Sequence, residues 1–454
     1  MPNGVEWVKL ALAVTRIGAV LVPLSTLLQP RELVAQLRVA SVQYLVTVEE
    51  FRGHRYLDDL SDELATGALP ALRHVWAAAA LPGFAVGDAA AELAVAMAAS
   101  VDPSDPMVVM FTSGSSGMPK GVIHSHGNAL AAVSSSLAPR CIDADTTLYL
   151  PMPFFWVGGF GGGILSALLA GATLVTEPTP RPEPTLRLLE RERVTLFRGW
   201  PDQAEALARQ ADSIGADLSA LWQGSLEALL PADQRAAPGA RAKLFGMTET
   251  FGPYCGYPAD TDMPPSAWGS CGKPFAGMEV RIVDVDTGQP VDAGQLGEIQ
   301  LRGPHTLRGS CRRSREELFT ADGFYPTGDL GHLDADGFMF YGGRSDDMFK
   351  VSGATVYPGE VEAALRTLDG VDAAFVTNVP SGRGDRVGAV VVCDVGHTTD
   401  QLHAAARKAL SSFKVPTVWL LVASDEELPR GSTGKVDVRR LRELLTETID
   451  VEAT

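Results

Sequence analysis

Phe111-Thr112-Ser113-Gly114-Ser115-Ser116-Gly117-Met118-Pro119-Lys120-Gly121 is the stretch that decides the fold. Ahead of it, residues 107–110 form a short apolar run, which predicts a buried strand delivering a loop. The loop offers four hydroxyls, two glycines that let backbone N–H groups turn toward a ligand, and one lysine. A concave set of amides with a cation suits a polyphosphate, whose charge must be met by donors already in place. The loop is not a Walker A motif: counted from Gly114, the sixth position is Pro119 rather than Gly, and Gly121 rather than Ser or Thr follows Lys120. Most Ser/Gly clusters are plain turns. Hydroxyls on both sides of Gly114, closed by Pro119-Lys120-Gly121, favour phosphate binding here.

Outward from this loop, the chain of 454 residues has room for a large unit plus a smaller one. Apolar residues make up 46% and charged residues 20%, the balance of a globular protein that buries a core. A net charge of −17 argues against nucleic acid as a partner, so any anion site must be local. Cys141, Cys255, Cys271, Cys311 and Cys393 stand singly. An odd, dispersed set predicts free thiols in a reducing cytoplasm rather than a disulfide frame or zinc site. Residues 5–24 are apolar but broken by Glu6, Lys9 and Arg16, so no integral membrane segment is expected.

Apolar spacing predicts helices over residues 6–17 and 31–40 and strands over 20–24 and 44–48. Helix and strand alternating at this spacing point to βα units and parallel sheets, an α/β class. Residues 67–100 read as connecting structure with one helix. A helix over 128–137 and a strand over 147–150 lead into Pro151-Met152-Pro153-Phe154-Phe155-Trp156-Val157-Gly158-Gly159-Phe160-Gly161-Gly162-Gly163. No dinucleotide fingerprint fits that run; glycines for tight helix packing and a ligand wall are both open. Residues 171–175 and 194–197 look like two further βα steps. From about residue 268 the texture changes to short strands and turns, a small β subdomain. Past Arg344, helices over 358–368 and 399–410 and strands over 374–379 and 389–393 form a compact α+β unit. The expected domains are 1–345 and a small mobile one, 346–454.

Four further stretches stand out. Phe245-Gly246-Met247-Thr248-Glu249-Thr250 sets a hydroxyl beside a carboxylate after an expected strand over 242–245. Tyr325-Pro326-Thr327-Gly328-Asp329-Leu330 places an Asp past a tight turn, and Tyr341-Gly342-Gly343-Arg344-Ser345-Asp346-Asp347-Met348-Phe349-Lys350-Val351-Ser352-Gly353 crowds opposite charges. Near the end, Pro429-Arg430-Gly431-Ser432-Thr433-Gly434-Lys435-Val436 puts one lysine on a glycine-flanked turn. Alone, each reads as a solvated loop, an Asx turn or a surface hairpin.

Together, in this order, they closely resemble the superfamily of adenylate-forming enzymes: acyl-CoA synthetases, nonribosomal adenylation domains and beetle luciferases. Within it the chain is most similar to a fatty-acid or aryl acyl-CoA ligase. The resemblance implies ATP, Mg²⁺ and coenzyme A, with a small-molecule carboxylic acid as substrate. Thr112, Ser113, Gly114, Ser115, Ser116, Gly117 and Lys120 would hold the ATP phosphates. Thr248 would touch the α-phosphate, Glu249 would hold Mg²⁺, and Asp329 would take the ribose hydroxyls with Arg344 beside it. Lys435 would bridge the acyl carboxylate and the α-phosphate, Asp346 would be the hinge, and Gly353 would line the CoA channel. Gly224 and Ser225, in a turn bulkier than the family's, would contact adenine. Trp156 would shape the acyl pocket, and Gly246 would leave its floor open where acetate-activating relatives carry tryptophan.

Family members usually carry several tens of residues ahead of the equivalent of Pro2-Asn3-Gly4, so the chain is expected to start inside the large domain. Two rival readings follow: an adenylating enzyme that loads a carrier-protein phosphopantetheine, and a truncated, non-catalytic nucleotide- or acyl-binding protein. Self-association into a homodimer is also compatible with the resemblance.

Overall fold

The computed structural model describes all residues except 62–63, 65–66, 84–85, 113–118, 346, 352–353, 381–384, 394–395, 411, 431–435 and 453–454. Ser113, Gly114, Ser115, Ser116, Gly117, Asp346, Gly353 and Lys435 therefore lie outside the described residues. The chain divides into two compact units: Met1–Val280 with Gln300–Pro326 and Asp334–Phe340, and Arg281–Ile299 with Thr327–Leu333 and Tyr341–Thr454.

In the first unit, strands Pro106–Thr112 and Lys120–Ser125 pair antiparallel, with Thr112 opposite Lys120 and Val108 opposite His124. Gly309–Ser310 adds to the free edge of the second strand. Helix Val5–Arg16, with Trp7 and Ala11 inward, packs here with helix His126–Leu137 and the glycine-rich segment, around Met107, Met110, Phe154, Phe160 and Phe251. The predicted strand over 20–24 is absent: only Leu21 makes a single parallel bridge, to Val108. Pro23 lacks the N–H that a continuing ladder needs.

The expected βα steps are present as a parallel sheet in the order Thr173–Val175, Thr147–Tyr149, Leu196–Phe197. Helices Pro182–Arg191 and Pro201–Ile214 cover it; each starts on a proline, whose fixed φ and missing N–H suit the first helical turn. Tyr44–Thr47 and His74–Ala77 form a second, two-stranded parallel sheet beside helix Pro30–Val39. Past residue 268, strands Glu279–Val283, Gly297–Arg302, Tyr325–Leu333 and Met339–Arg344 line up in that order as a four-stranded sheet.

The second unit is built on strand Arg386–Cys393, flanked antiparallel by Val371–Val379 and parallel by Val418–Val422. Val387, Ala389 and Val391 face helices Pro358–Leu365 and Thr399–Ala409, while Val390 and Val392 face helix Val438–Glu452. Burial on both faces explains why 387–393 reads as one unbroken apolar run rather than an alternating one.

Candidate active site

Strand pairing sets the first part of the site. Side chains on Lys120–Ser125 alternate, so Lys120 and His124 share a face, and both meet the turn after strand Phe245–Met247. Lys120 Nζ donates to Glu249 Oε1 at 2.7 Å and to the Tyr325 hydroxyl at 3.0 Å. Burial works against the Lys120 charge, yet the neighbouring Glu249 carboxylate and Tyr325 oxygen hold its pKa above the ordinary lysine value. Burial raises the Tyr325 pKa, and the Glu249 charge adds to the shift. Glu249 is itself nearly enclosed, and its backbone oxygen accepts from Leu307 N at 2.8 Å.

The turn is a single 3₁₀ turn, Thr248–Thr250, closed by Phe251 N donating to Thr248 O at 3.1 Å. Phe251 follows in the left-handed region at φ 51°, uncommon for a bulky residue, and Gly252 at φ 122° re-enters the strand Gly252–Gly256. On the other side, His124 Nε2 donates to the same Thr248 carbonyl at 2.7 Å. Asn128 Nδ2 donates to His124 Nδ1 at 2.7 Å and to His305 O at 3.2 Å, while Asn128 Oδ1 accepts from Ser125 N at 2.7 Å. That set fixes His124 as the neutral Nε2–H tautomer.

Burial pushes both His124 and His305 down to about 4. An unfolded histidine titrates near 6.5, so between these values the unfolded chain binds more protons than the native one. Native stability is therefore fully present above about pH 6.5 and drains away as pH falls toward 4, by on the order of 3 kcal/mol per histidine. Urea midpoints taken between pH 7 and pH 4 should fall accordingly; a flat profile would contradict this burial.

Asp329 and Arg344 are brought together in the second unit. Arg344 Nη1 donates to Asp329 Oδ1 and to Thr327 O, each at 2.9 Å. Gly328 at φ +69° makes room: a Cβ there would lie 2.9 Å from Arg344 Nη2. Asp329 is thus a buried, ion-paired strand residue and not an Asx-turn former.

In the first unit, Trp156 caps the glycine-rich segment and packs edge-on against Trp200, with centroids 5.9 Å apart at 89°, and against Phe155. Asn3 holds the approach to it, donating to Met152 O at 2.9 Å and accepting from Phe154 N at 2.8 Å. The glycines of this run are spacing residues: Cβ atoms at Gly158, Gly159 and Gly161 would meet Met152 Sδ at 2.4 Å, Pro153 O at 2.0 Å and the Phe251 ring at 3.0 Å. Gly224 takes φ +94°, beside Cys141 Sγ, and the Ser225 hydroxyl faces inward, accepting from Phe197 N at 3.1 Å. Gly246 lies against the Gly252 backbone.

His124, Asn128, Tyr325 and Trp200 were not singled out by sequence. The spacing of Lys120 and His124 on one strand face was the available signal for the first. The others meet their partners only through long-range folding.

The sequence profile of the AMP-binding enzyme family matches residues 1–310, and that of the AMP-binding enzyme C-terminal domain matches residues 360–435. The chain belongs to this family. It is 34% identical, over 98% of its own length and 87% of the relative's, to a methyl-dioxo-octahydroindenyl-propanoyl:CoA ligase of Mycobacterium tuberculosis. It is 30% identical to the 3-hydroxybenzoate–CoA ligase of an Aromatoleum species, over 98% of this chain and 86% of that one. Among solved structures it resembles ATP-bound MatB from Rhodopseudomonas palustris, with a TM-score of 0.79 and 25% identity over 98% of this chain and 88% of that one. Among the described residues, no helix is long and apolar enough to cross a membrane.

Proposed function

We propose that this chain activates a carboxylic acid with ATP, releasing pyrophosphate, and then passes the acyl group to coenzyme A. The observation that carries this reading is the enclosed Lys120–Glu249 pair, set where the hydroxyl-rich loop returns to the sheet. An ammonium at the loop's end and a carboxylate beside Thr248 are the charges needed to bind a nucleotide polyphosphate and steer its α-phosphorus.

The acid's carboxylate attacks the α-phosphorus; the bond to the bridging oxygen breaks, and pyrophosphate leaves. Lys120 and the hydroxyls of Thr112, Ser113, Ser115 and Ser116 meet the departing phosphates, while Thr248 and Lys435 meet the charge gathering on the α-phosphoryl oxygens. Asp329, held by Arg344, takes the ribose hydroxyls. The thiol of coenzyme A then attacks the acyl carbonyl, and AMP departs. The boundary between 345 and 346 lets the small domain present Lys435 in the first step and Gly353 in the second.

Glu249 fits a magnesium ion. Oε1 is engaged by Lys120, no described residue donates to Oε2, and the described residues hold no cluster of three potential ligands. One carboxylate completed by substrate phosphates is the ordinary magnesium arrangement. The ion would neutralise phosphate charge when bound.

The Trp156–Trp200 corner favours a bulky or aromatic acid over a short one. Acid-dependent ATP–pyrophosphate exchange tests the reading across 3-hydroxybenzoate, an arylacetate, a bicyclic propanoate and medium- and long-chain fatty acids. Coenzyme A and then a phosphopantetheinylated carrier follow as acceptors. Failure of every acid in the panel to support exchange would refute the reading, and acyl transfer to the carrier alone would reassign the second step.

A further inference from the structure

We infer that His124 is a positioning residue for acid activation: aimed by Asn128, its Nε2–H holds the Thr248 carbonyl and thereby sets the turn that presents Thr248 and Glu249. The inference rests on the roles proposed above for those two residues. His124 touches neither of their side-chain oxygens, so it acts through the backbone.

Three observations converge on it. First, the Thr248 carbonyl accepts twice, from Phe251 N at 3.1 Å and from His124 Nε2 at 2.7 Å, and the histidine bond is the shorter. Second, the turn needs external support. Phe251 is left-handed without being glycine, a conformation that persists only where the surroundings over-determine it. Those surroundings are the His124 ring, edge-on at 5.0 Å, and the Phe160 ring at 6.2 Å. Third, His124 is itself aimed. Asn128 is tied by its Oδ1 to Ser125 N at the helix start and by its Nδ2 to His305 O, so its remaining geometry orients Nδ1 of the imidazole. A histidine whose second nitrogen is fixed by a further polar partner is the usual way proteins aim the first.

A core histidine kept only for packing predicts something different, since any residue of similar volume would then serve. Gln and Asn separate the two cases, because Gln places an amide N–H where Nε2 lies, whereas Asn offers an acceptor near Nδ1 and no donor toward Thr248.

The experiment uses the full chain and the acid that supports exchange. It measures kcat and KM for ATP, ATP binding by calorimetry and thermal midpoints for wild type, H124Q, H124N and E249Q. H124N should lose about 10- to 100-fold in kcat, the scale of a small misplacement of reacting groups. Its KM and ATP affinity should change less than kcat, because the charge that Thr248 meets gathers only in the transition state. H124Q should stay within about fivefold of wild type, each variant being assayed below its own thermal midpoint. Equal activity in H124N and H124Q, whether high or low, overturns the inference. Full exchange in E249Q removes the underlying reading of the turn and this inference with it.

Discussion

Glu249→Gln is expected to lower acid-dependent pyrophosphate exchange by about 10²- to 10³-fold, the usual cost of removing one aimed electrostatic group from a reacting site. The substitution keeps shape and leaves an oxygen to accept from Lys120 Nζ, now 2.7 Å from Oε1, and from the Tyr325 hydroxyl at 3.4 Å. It removes the negative charge and puts an amide NH2 donor where Oε2 was an acceptor. Lys120 is about a quarter exposed, so its ammonium keeps partial access to water and is not stranded. The thermal midpoint should therefore fall by only a few degrees, corresponding to roughly 1 kcal/mol. Exchange and thermal unfolding on one preparation distinguish the cases. Retention of more than a tenth of the activity would show that the carboxylate is a structural partner of Lys120 and no more.

Gly246→Ala should cost the fold at least about 3 kcal/mol, beyond the usual range for overpacking. A Cβ at Gly246 would lie 2.1 Å from Gly252 O, 2.4 Å from Gly252 C and 2.4 Å from Pro253 Cα, all backbone atoms that cannot swing aside. Strands Phe245–Met247 and Gly252–Gly256 would have to part, taking with them the Phe245–Tyr254 ring contact and the turn that carries Glu249. The expectation that Gly246 leaves room for a longer acid predicts otherwise: a folded alanine variant with a preference for shorter acids. Denaturant unfolding beside an acid-length profile separates the two outcomes.

Much of this architecture is legible in the residues themselves. Helices such as Pro30–Val39 and Thr399–Ala409 carry their own start signals, a proline at the first turn in one and a Thr398/Gln401 capping box in the other. The apolar run at 387–393 announces a strand covered on both faces. The Asp329–Arg344 pairing follows from the resemblance and is present as an ion pair. Less legible is anything decided by pairing across distance. Alternating helix and strand suggested parallel sheets, yet the strand ahead of the hydroxyl-rich loop pairs antiparallel with the strand after it. The strand expected over 242–245 is shifted to Phe245–Met247, because its register comes from Gly252–Gly256 rather than from its own apolar content. His124 looks like one more polar residue in a strand until folding brings up residues 128 and 248.

Lys120 and His124 ride the same pleat, and that has a practical consequence for engineering this region. A substitution that let the hairpin creep by a single position would rotate both side chains to the opposite surface at one stroke. Val122, fully buried on that same face, would turn with them, so the core beside it would open and the melting temperature would fall together with activity. Alignment of this one strand therefore ties the stability of the sheet to the placement of both polar side chains.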